Sequence, residues 1–126
     1  MKIVIAEPSG AESLRLAAAA SALGGISVIS VARGSEVIRT TLDEEPDVLI
    51  LGARLDPAQG LRVLHAVRPL LPALRVAVVG ERPSDQFRRA FLLGDIDLIV
   101  GGPDRLDVMS DVLRQWQSEQ PGLPVV

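Results

Sequence analysis

Apolar residues along this chain follow two alternating patterns. Short continuous apolar runs, bounded by turn-forming residues, predict strands buried on both faces, as in the middle of a parallel sheet. Between these runs, apolar residues recur every three or four positions, which predicts amphipathic helices. The predicted strands, β1 to β5, are Lys2–Ala6, Ile26–Val31, Val48–Leu51, Arg75–Val79 and Ile96–Val100.

A predicted helix follows each predicted strand. Helices α1 to α5 are expected at about residues 11–23, 35–43, 61–68, 84–93 and 104–116. Ser35, Ser84 and Asp104 are the expected N-caps of α2, α4 and α5, because a side-chain oxygen there can accept a hydrogen bond from a free backbone N–H. The apolar stripes that face the core are expected to include Leu14 on α1 and Phe91 and Leu92 on α4.

This alternation predicts an α/β fold. Consecutive strand–helix–strand units require right-handed crossovers and therefore a parallel, doubly wound sheet. A repeat of about 20 to 25 residues favours the flavodoxin-like strand order 2-1-3-4-5. We expect one domain over residues 1–117 of the 126. Residues 118–126 contain Pro121, Gly122 and Pro124, which predicts a linker towards a further, output domain.

Composition narrows the classes of function. The chain has no cysteine, which excludes disulfides and thiolate metal sites. The net charge is −3 and the basic residues are scattered, so no direct binding of nucleic acid is expected. The apolar runs are too short to span a bilayer and no secretory signal is evident, which predicts a cytoplasmic domain without membrane contact.

Four segments carry a resemblance to a known family: Lys2–Glu7, Pro46–Leu51, Gly60–Leu64 and Leu93–Val100. Their joint spacing resembles the receiver domain of bacterial two-component response regulators, over residues 1–117. The resemblance implies phosphoryl transfer from a histidine kinase to an aspartate after β3, with Mg²⁺ held by that aspartate and an acidic pair after β1. A Ser or Thr after β4 and a Lys after β5 would bind the phosphoryl oxygens.

This chain departs from the family pattern at each of those positions. The corresponding residues are Glu7 and Pro8, Gly52, Gly80, and Gly101 or Gly102. Without acceptor, hydroxyl and lysine, the site lacks both a nucleophile and charge stabilisation. The sequence therefore predicts a pseudo-receiver that is not an enzyme and has no catalytic residues, metal or cofactor. Such a domain is expected to act as a phosphorylation-independent protein-interaction or dimerisation module in signal transduction or transcription regulation.

Two alternatives remain open from the sequence. Asp56 and Glu7 lie on loops at the same sheet edge, where either carboxylate is a candidate for unorthodox phosphorylation or metal binding. Alternatively, the glycines open a small cleft in which backbone N–H groups bind a small anion or metabolite. His65 is the only histidine, and a solvated position on α3 is expected for it.

In the family that this chain resembles, the face formed by α4, β5 and α5 commonly carries homodimer contacts. Charged side chains of both signs are expected on that face, and a two-fold axis can make such a surface self-complementary. The candidates are Arg88, Arg89, Asp97, Asp107, Asp111 and Arg114. Trp116 is expected either to cover the edge of the core or to anchor a partner protein.

Overall fold

The computed structural model describes residues 1–120. Its five strands form one parallel sheet in the order β2-β1-β3-β4-β5, which confirms the predicted fold class and strand order. The observed strands are Lys2–Ala6, Ser27–Val31, Val48–Gly52, Arg75–Gly80 and Leu98–Gly101.

The five helices lie between and after the strands. They span Gly10–Ser21, Gly34–Glu44, Pro57–Val67, Asp85–Leu92 and Arg105–Glu119. Helix α5 continues two residues past the predicted domain end at residue 117, so the first part of the predicted linker is helical. Residues 121–126, which hold the prolines of that linker, lie outside the described residues.

The helix N-termini confirm some of the predicted caps and correct others. Ser84 caps α4, since its Oγ accepts from the N–H of Phe87 at 3.2 Å. The prediction for Ser35 is wrong, because α2 starts at Gly34 and Ser35 lies inside its first turn. Asp104 holds the N-cap position of α5 but makes no side-chain capping bond.

The sheet is covered on both faces, so β3 is buried along its whole length and β1 is buried from Ile3 onwards. Alternate side chains of a strand point to opposite faces. Leu49 and Leu51 pack with Phe87 on the side of α2, α3 and α4, whereas Ile50 packs with Met109 on the side of α1 and α5. This two-sided burial explains the continuous apolar runs in the sequence.

Three of the expected core residues are on the surface. Leu14 is 74% exposed because Leu16 and Ala20 fill the buried stripe of α1. Leu92 is 81% exposed and its neighbour Phe91 is 38% exposed, since the short helix α4 buries Phe87 and Ala90 instead. The predicted inward placement of Leu14, Phe91 and Leu92 is therefore wrong.

The parallel topology brings the carboxyl ends of β1, β3, β4 and β5 to one edge of the sheet. In open α/β sheets this edge is where ligands bind. No helix within residues 1–120 is long and apolar enough to cross a membrane.

Candidate functional site

The side chain of Glu7 lies over Gly52, where β1 and β3 end. Glu7 is only 1% exposed, and its Oε2 accepts a hydrogen bond from the backbone N–H of Ser9 at 2.9 Å. A Cβ atom added at Gly52 would lie 2.4 Å from Oε1 and 2.8 Å from Cβ of Glu7. Glycine is thus the residue that leaves room for Glu7 in this conformation. The space that a phosphoacceptor side chain at residue 52 would need is already filled.

A second filled position lies at the end of β4. A Cβ atom added at Gly80 would lie 2.0 Å from Cβ of Ala53 and 3.1 Å from its backbone nitrogen. The N–H of Ala53 donates to the carbonyl of Val79 at 3.1 Å, which fixes Ala53 beside this strand. The methyl group of Ala53 therefore occupies the room that a hydroxyl-bearing side chain at residue 80 would require.

The end of β5 follows the same arrangement. A Cβ atom at Gly101 would lie 2.8 Å from Cδ of Pro83. Gly102 differs, because its φ of 100° favours glycine whatever the surrounding space. A side chain from a neighbouring loop thus occupies the space beside each of three glycines, Gly52, Gly80 and Gly101.

A cleft of about 180 Å³ remains at this edge. Its lining residues are Glu7, Glu12, Ala53, Arg54, Gly80, Glu81 and Arg82. Gly80 is the one glycine among them, so Gly52 does not contribute to a glycine-lined cleft. Glu12 is paired with Arg105, which leaves the carboxylates of Glu7 and Glu81 against the guanidinium groups of Arg54 and Arg82, so the lining has no net positive charge to attract a phosphoryl group.

A buried ion pair connects the first turns of α1 and α5 beside the cleft. Arg105 donates to both carboxylate oxygens of Glu12, at 2.9 to 3.1 Å, and its Nη1 donates to the carbonyl of Gly102. Glu12 and Arg105 are 6% and 7% exposed. This pair places a guanidinium beside the loop that follows β5, with its charge neutralised by Glu12.

Only one of the two oxygens of the Glu7 carboxylate has a hydrogen-bond donor within residues 1–120. Oε1 is buried and has no hydrogen-bond partner within residues 1–120.

Asp56 does not line the same cleft. Its Oδ1 accepts from the N–H of Ala58 at 3.2 Å and caps α3. In the described part of the chain, no three acidic, His or Cys side chains are grouped to hold a metal ion. His65 is exposed on α3, as predicted.

The candidate residues of the α4, β5 and α5 face divide into two groups. Arg88, Arg89 and Asp107 are exposed, and none of them forms an ion pair within residues 1–120. Asp111 and Arg114 are exposed and form a loose i, i+3 pair at 3.7 Å. Among residues 1–120, these five side chains therefore make no ion pair with another element of the fold.

Asp97 and Trp116 are instead engaged within the molecule. Asp97 Oδ2 accepts from the backbone N–H of Val76 at 2.7 Å and from Arg68 at 3.1 Å. Trp116 packs against the core on the α1 and α5 side, and the guanidinium carbon of Arg75 lies 5.1 Å from its ring centroid. Both lie at the amino-terminal edge of the sheet, so the predicted face narrows to the other five residues.

Sequence reasoning missed two features of these candidate surfaces. Glu12 and Arg105 are 93 positions apart in the chain, so no local sequence pattern predicts their contact. The exposed side chains of Leu92 and Leu93, beside Arg88 and Arg89, had a signal: α4 has more apolar positions than its short buried stripe can hold.

Solved structures similar to this chain include response-regulator receiver domains. A two-component response regulator from Clostridium difficile matches with a TM-score of 0.79 at 16% identity, over 97% of this chain and 99% of that chain. The isolated REC domain of RcsB from Salmonella enterica serovar Typhimurium matches with a TM-score of 0.77 at 17% identity, over 94% of this chain and 88% of that chain. The chain therefore has the receiver-domain fold.

A third similar structure is described as a pilus assembly protein and not as a response regulator. A protein named provisionally as a pilus assembly protein (cpaE), from Burkholderia thailandensis E264, matches with a TM-score of 0.75 at 20% identity, over 94% of this chain and 99% of that chain. No protein-family model matches the chain, and no curated protein matches it. At identities of 16 to 20%, the similarity concerns the fold.

Proposed function

We propose that this chain is a phosphorylation-independent receiver-type domain, which acts as a protein-interaction and dimerisation module in signal transduction or transcription regulation. The observation that carries this proposal is the filled carboxyl edge of the sheet. Glu7 and Ala53 occupy the space above Gly52 and Gly80, where the family resemblance would place the phosphoacceptor and the hydroxyl residue.

The chemistry at this edge favours a role without phosphoryl transfer. An acyl phosphate needs an accessible carboxylate, and the end of β3 carries no side chain at Gly52. Glu7 is buried over that position, and the nearby guanidinium of Arg105 is already bound by Glu12. A phosphoryl group would therefore find neither an acceptor nor an unpaired cation buried beside it.

Phosphorylation is tested by incubating the chain with acetyl phosphate and Mg²⁺ and recording its intact mass. We expect no gain of a phosphoryl group. A Gly52→Asp variant is also expected to stay unmodified, because Glu7 blocks the new side chain. A phosphorylated wild-type chain would contradict the proposal, and mapping the group to Asp56 or Glu7 would establish the unorthodox-acceptor alternative.

The surface of α4 supports the interaction role. Its outward side chains include Arg88 and Arg89, which form no ion pair within residues 1–120. Leu92 at the end of the helix and Leu93 just after it are 81% and 80% exposed. Helix α5 presents the carboxylate of Asp107 on its exposed side. A surface with a basic and apolar part and an acidic part can pair with a second copy of itself around a two-fold axis.

Dimerisation is tested by light scattering over a range of protein concentrations. We expect the wild-type chain to increase in size with concentration and a Leu92→Glu/Leu93→Glu variant to stay monomeric at concentrations where the wild type associates. Leu14→Glu is the matched control, since Leu14 is 74% exposed on α1, outside the proposed face. A monomeric wild type, or equal loss of association in the Leu14 variant, would contradict the dimer face.

The kinds of partner are suggested by the similar structures. One is a DNA-binding response regulator of the LuxR family from Staphylococcus aureus, and another has the pilus assembly name given above. A receiver-type domain joined to an output domain is therefore the arrangement that we propose for this chain. If the full-length protein has an output domain, the two domains expressed separately are expected to bind or stabilise each other, and no measurable binding or mutual stabilisation would argue against this arrangement.

A further inference from the structure

Strand β2 forms one edge of the sheet, and within residues 1–120 it pairs with β1 alone. The N–H of Ser27 donates to the carbonyl of Met1 at 2.9 Å, and the carbonyl of Val31 accepts from the N–H of Glu7 at 3.2 Å. In a parallel pair, every second residue of a strand directs both its N–H and its C=O towards the same neighbour. Ser27, Val31 and the residue midway between them therefore direct their backbone groups towards β1.

The backbone groups of Val28 and Ser30 consequently face the open side of β2. In the described part of the chain, neither residue makes a backbone hydrogen bond to a loop or a helix. Ser30 is exposed and Val28 is partly exposed, so nothing else in the domain covers this side completely. The edge thus offers free donors and acceptors at the two-residue spacing of a strand, which a second extended backbone matches.

This edge also lacks the features that usually prevent two strands from pairing, namely charges, proline and bulges. The segment Ile26–Ala32 contains no charged residue and no proline. Its register with β1 is continuous from Ser27 to Val31. The opposite edge, β5, is different, because it has only four residues and directly follows the carboxylate of Asp97.

We propose that β2 pairs with β2 of a second copy of this chain, antiparallel about a two-fold axis that passes between the two copies of Ile29. This axis places Val28 opposite Ser30 of the second copy, and each of these symmetry-related pairs exchanges two backbone hydrogen bonds. The two Ile29 side chains lie opposite each other, and β-branched pairs of this kind stabilise antiparallel strands. A second copy fits this edge because it supplies a donor for each acceptor and brings no like charge against Ile26–Ala32.

The β2 contact goes beyond the proposed dimer face and does not rest on it. β2 and β5 are the two opposite edges of the sheet, so one copy can use both contacts at once. Two different two-fold contacts on each copy produce an open chain of copies and not a closed dimer. Because the β2 contact is small, we expect it to be the weaker of the two, with a Kd on the order of 1 mM.

Cysteine cross-linking tests the proposed register, since the chain has no cysteine of its own. The test variant is Ile29→Cys in the Leu92→Glu/Leu93→Glu chain, in which the α4 contact is disrupted. Opposed residues of a non-hydrogen-bonded antiparallel pair have Cα atoms about 4.5 Å apart, within the range of about 4.4 to 6.8 Å that a disulfide requires.

Ser27→Cys in the same chain is the matched control. Residue 27 is on the same face of the strand as Ile29, but the proposed axis places its two copies about 14 Å apart. Ser27 is more exposed than Ile29, so random collisions would favour the disulfide of the control. Under mild oxidation of about 0.1 mM protein, we expect Ile29→Cys to form linked dimers at least about fivefold faster than Ser27→Cys on non-reducing gels.

Two further variants assign the cross-link to pairing of the edge. Ser30→Pro, added to the Ile29→Cys chain, removes an outward N–H that does not bond to β1, and is expected to slow cross-linking by about fivefold or more. Ser30→Lys keeps that N–H but adds a charge at the edge, and the same slowing is expected. If Ser30→Pro fails to fold, Ser30→Lys decides.

Three results would overturn the proposal. They are equal rates for Ile29→Cys and Ser27→Cys, a faster reaction of Ser27→Cys, and cross-linking of Ile29→Cys that Ser30→Lys does not slow. Because all these chains carry Leu92→Glu/Leu93→Glu, failure of the β2 contact is distinguishable from failure of the dimer face, which the light-scattering comparison measures separately.

Discussion

Gly80→Ala tests whether neighbouring side chains fill the carboxyl edge of the sheet. The added Cβ would start 2.0 Å from Cβ of Ala53 and 3.1 Å from its backbone nitrogen and Cα. Carbon atoms need a separation of about 3.5 to 4.0 Å, so the loop and the strand must move apart. Overpacking of this kind costs about 1 to 3 kcal/mol. We expect about 2 to 3 kcal/mol, because the obstacle includes backbone that is hydrogen-bonded to Val79.

A second variant, Ala53→Gly, removes the methyl group that lies beside Gly80. Ala53→Gly alone is expected to cost about 1 kcal/mol, through lost packing and greater freedom of the unfolded chain. Independent effects would sum to about 3 to 4 kcal/mol in the double variant. Because Ala53→Gly makes room for the new methyl group, we expect the double variant to cost only about 1 to 2 kcal/mol. The coupling between the two positions is then about 2 kcal/mol.

Urea unfolding of the wild type, both single variants and the double variant measures this coupling. The slope of free energy against urea should stay constant through the set, since the fold is unchanged. A cost below about 0.5 kcal/mol for Gly80→Ala would refute the reasoning. So would additivity within about 0.5 kcal/mol, which is the behaviour of sites that do not touch.

Three further predictions concern charged groups. Arg105→Met is expected to destabilise the chain by about 3 to 5 kcal/mol in urea unfolding, because it leaves the carboxylate of Glu12 buried and unpaired, whereas Glu12→Leu/Arg105→Met should recover most of that loss. Asp97→Asn is expected to cost about 1 to 2 kcal/mol in the same assay, since the partly exposed pair with Arg68 is lost; a stability equal to that of the wild type would contradict this role. The hydrogen bond from Arg75, followed by that from Gln115, lowers the pKa of Glu119, so its stabilising contribution should be complete above the ordinary glutamate pKa and disappear as pH falls through the lowered value. The difference in unfolding midpoint between wild type and Glu119→Gln should therefore vanish in acid, and a difference that grows on acidification would show the opposite sign.

The sheet could be predicted from sequence because a strand that is buried on both faces has a continuous run of apolar residues. Each central strand must be apolar at consecutive positions, as Val48 to Leu51 are, and turn residues must separate it from the next helix. The helix surfaces were less predictable. Leu14 and Leu92 satisfy a helical apolar period, but whether they are buried depends on how each helix is rotated against the sheet. That rotation depends on tertiary packing, which the period alone does not determine.

The residues at the ends of the strands can be read from the sequence, but the side chains that lie over them could not be predicted. Gly52 and Gly80 are visible in the sequence as positions without a side chain. That Glu7 turns over Gly52 depends on the backbone N–H of Ser9, which holds one oxygen of the carboxylate. That Ala53 lies against Gly80 depends on the register of the loop after β3. Contacts across loops have no periodic signature in the chain.

The paired arrangement has a physical cause that applies to any chain with this fold and these glycines. Removing side chains from residues 52 and 80 while leaving their surroundings unchanged would open voids among buried strands, and a residual cavity costs about 24 cal/mol per Å³. Glu7, Ala53 and Pro83 close those voids from neighbouring loops at the expense of room for larger residues at 52, 80 and 101. Placing an aspartate at residue 52 should therefore require a smaller residue at position 7 as well. Aspartate at residue 52 alone would compete with Glu7 for one space.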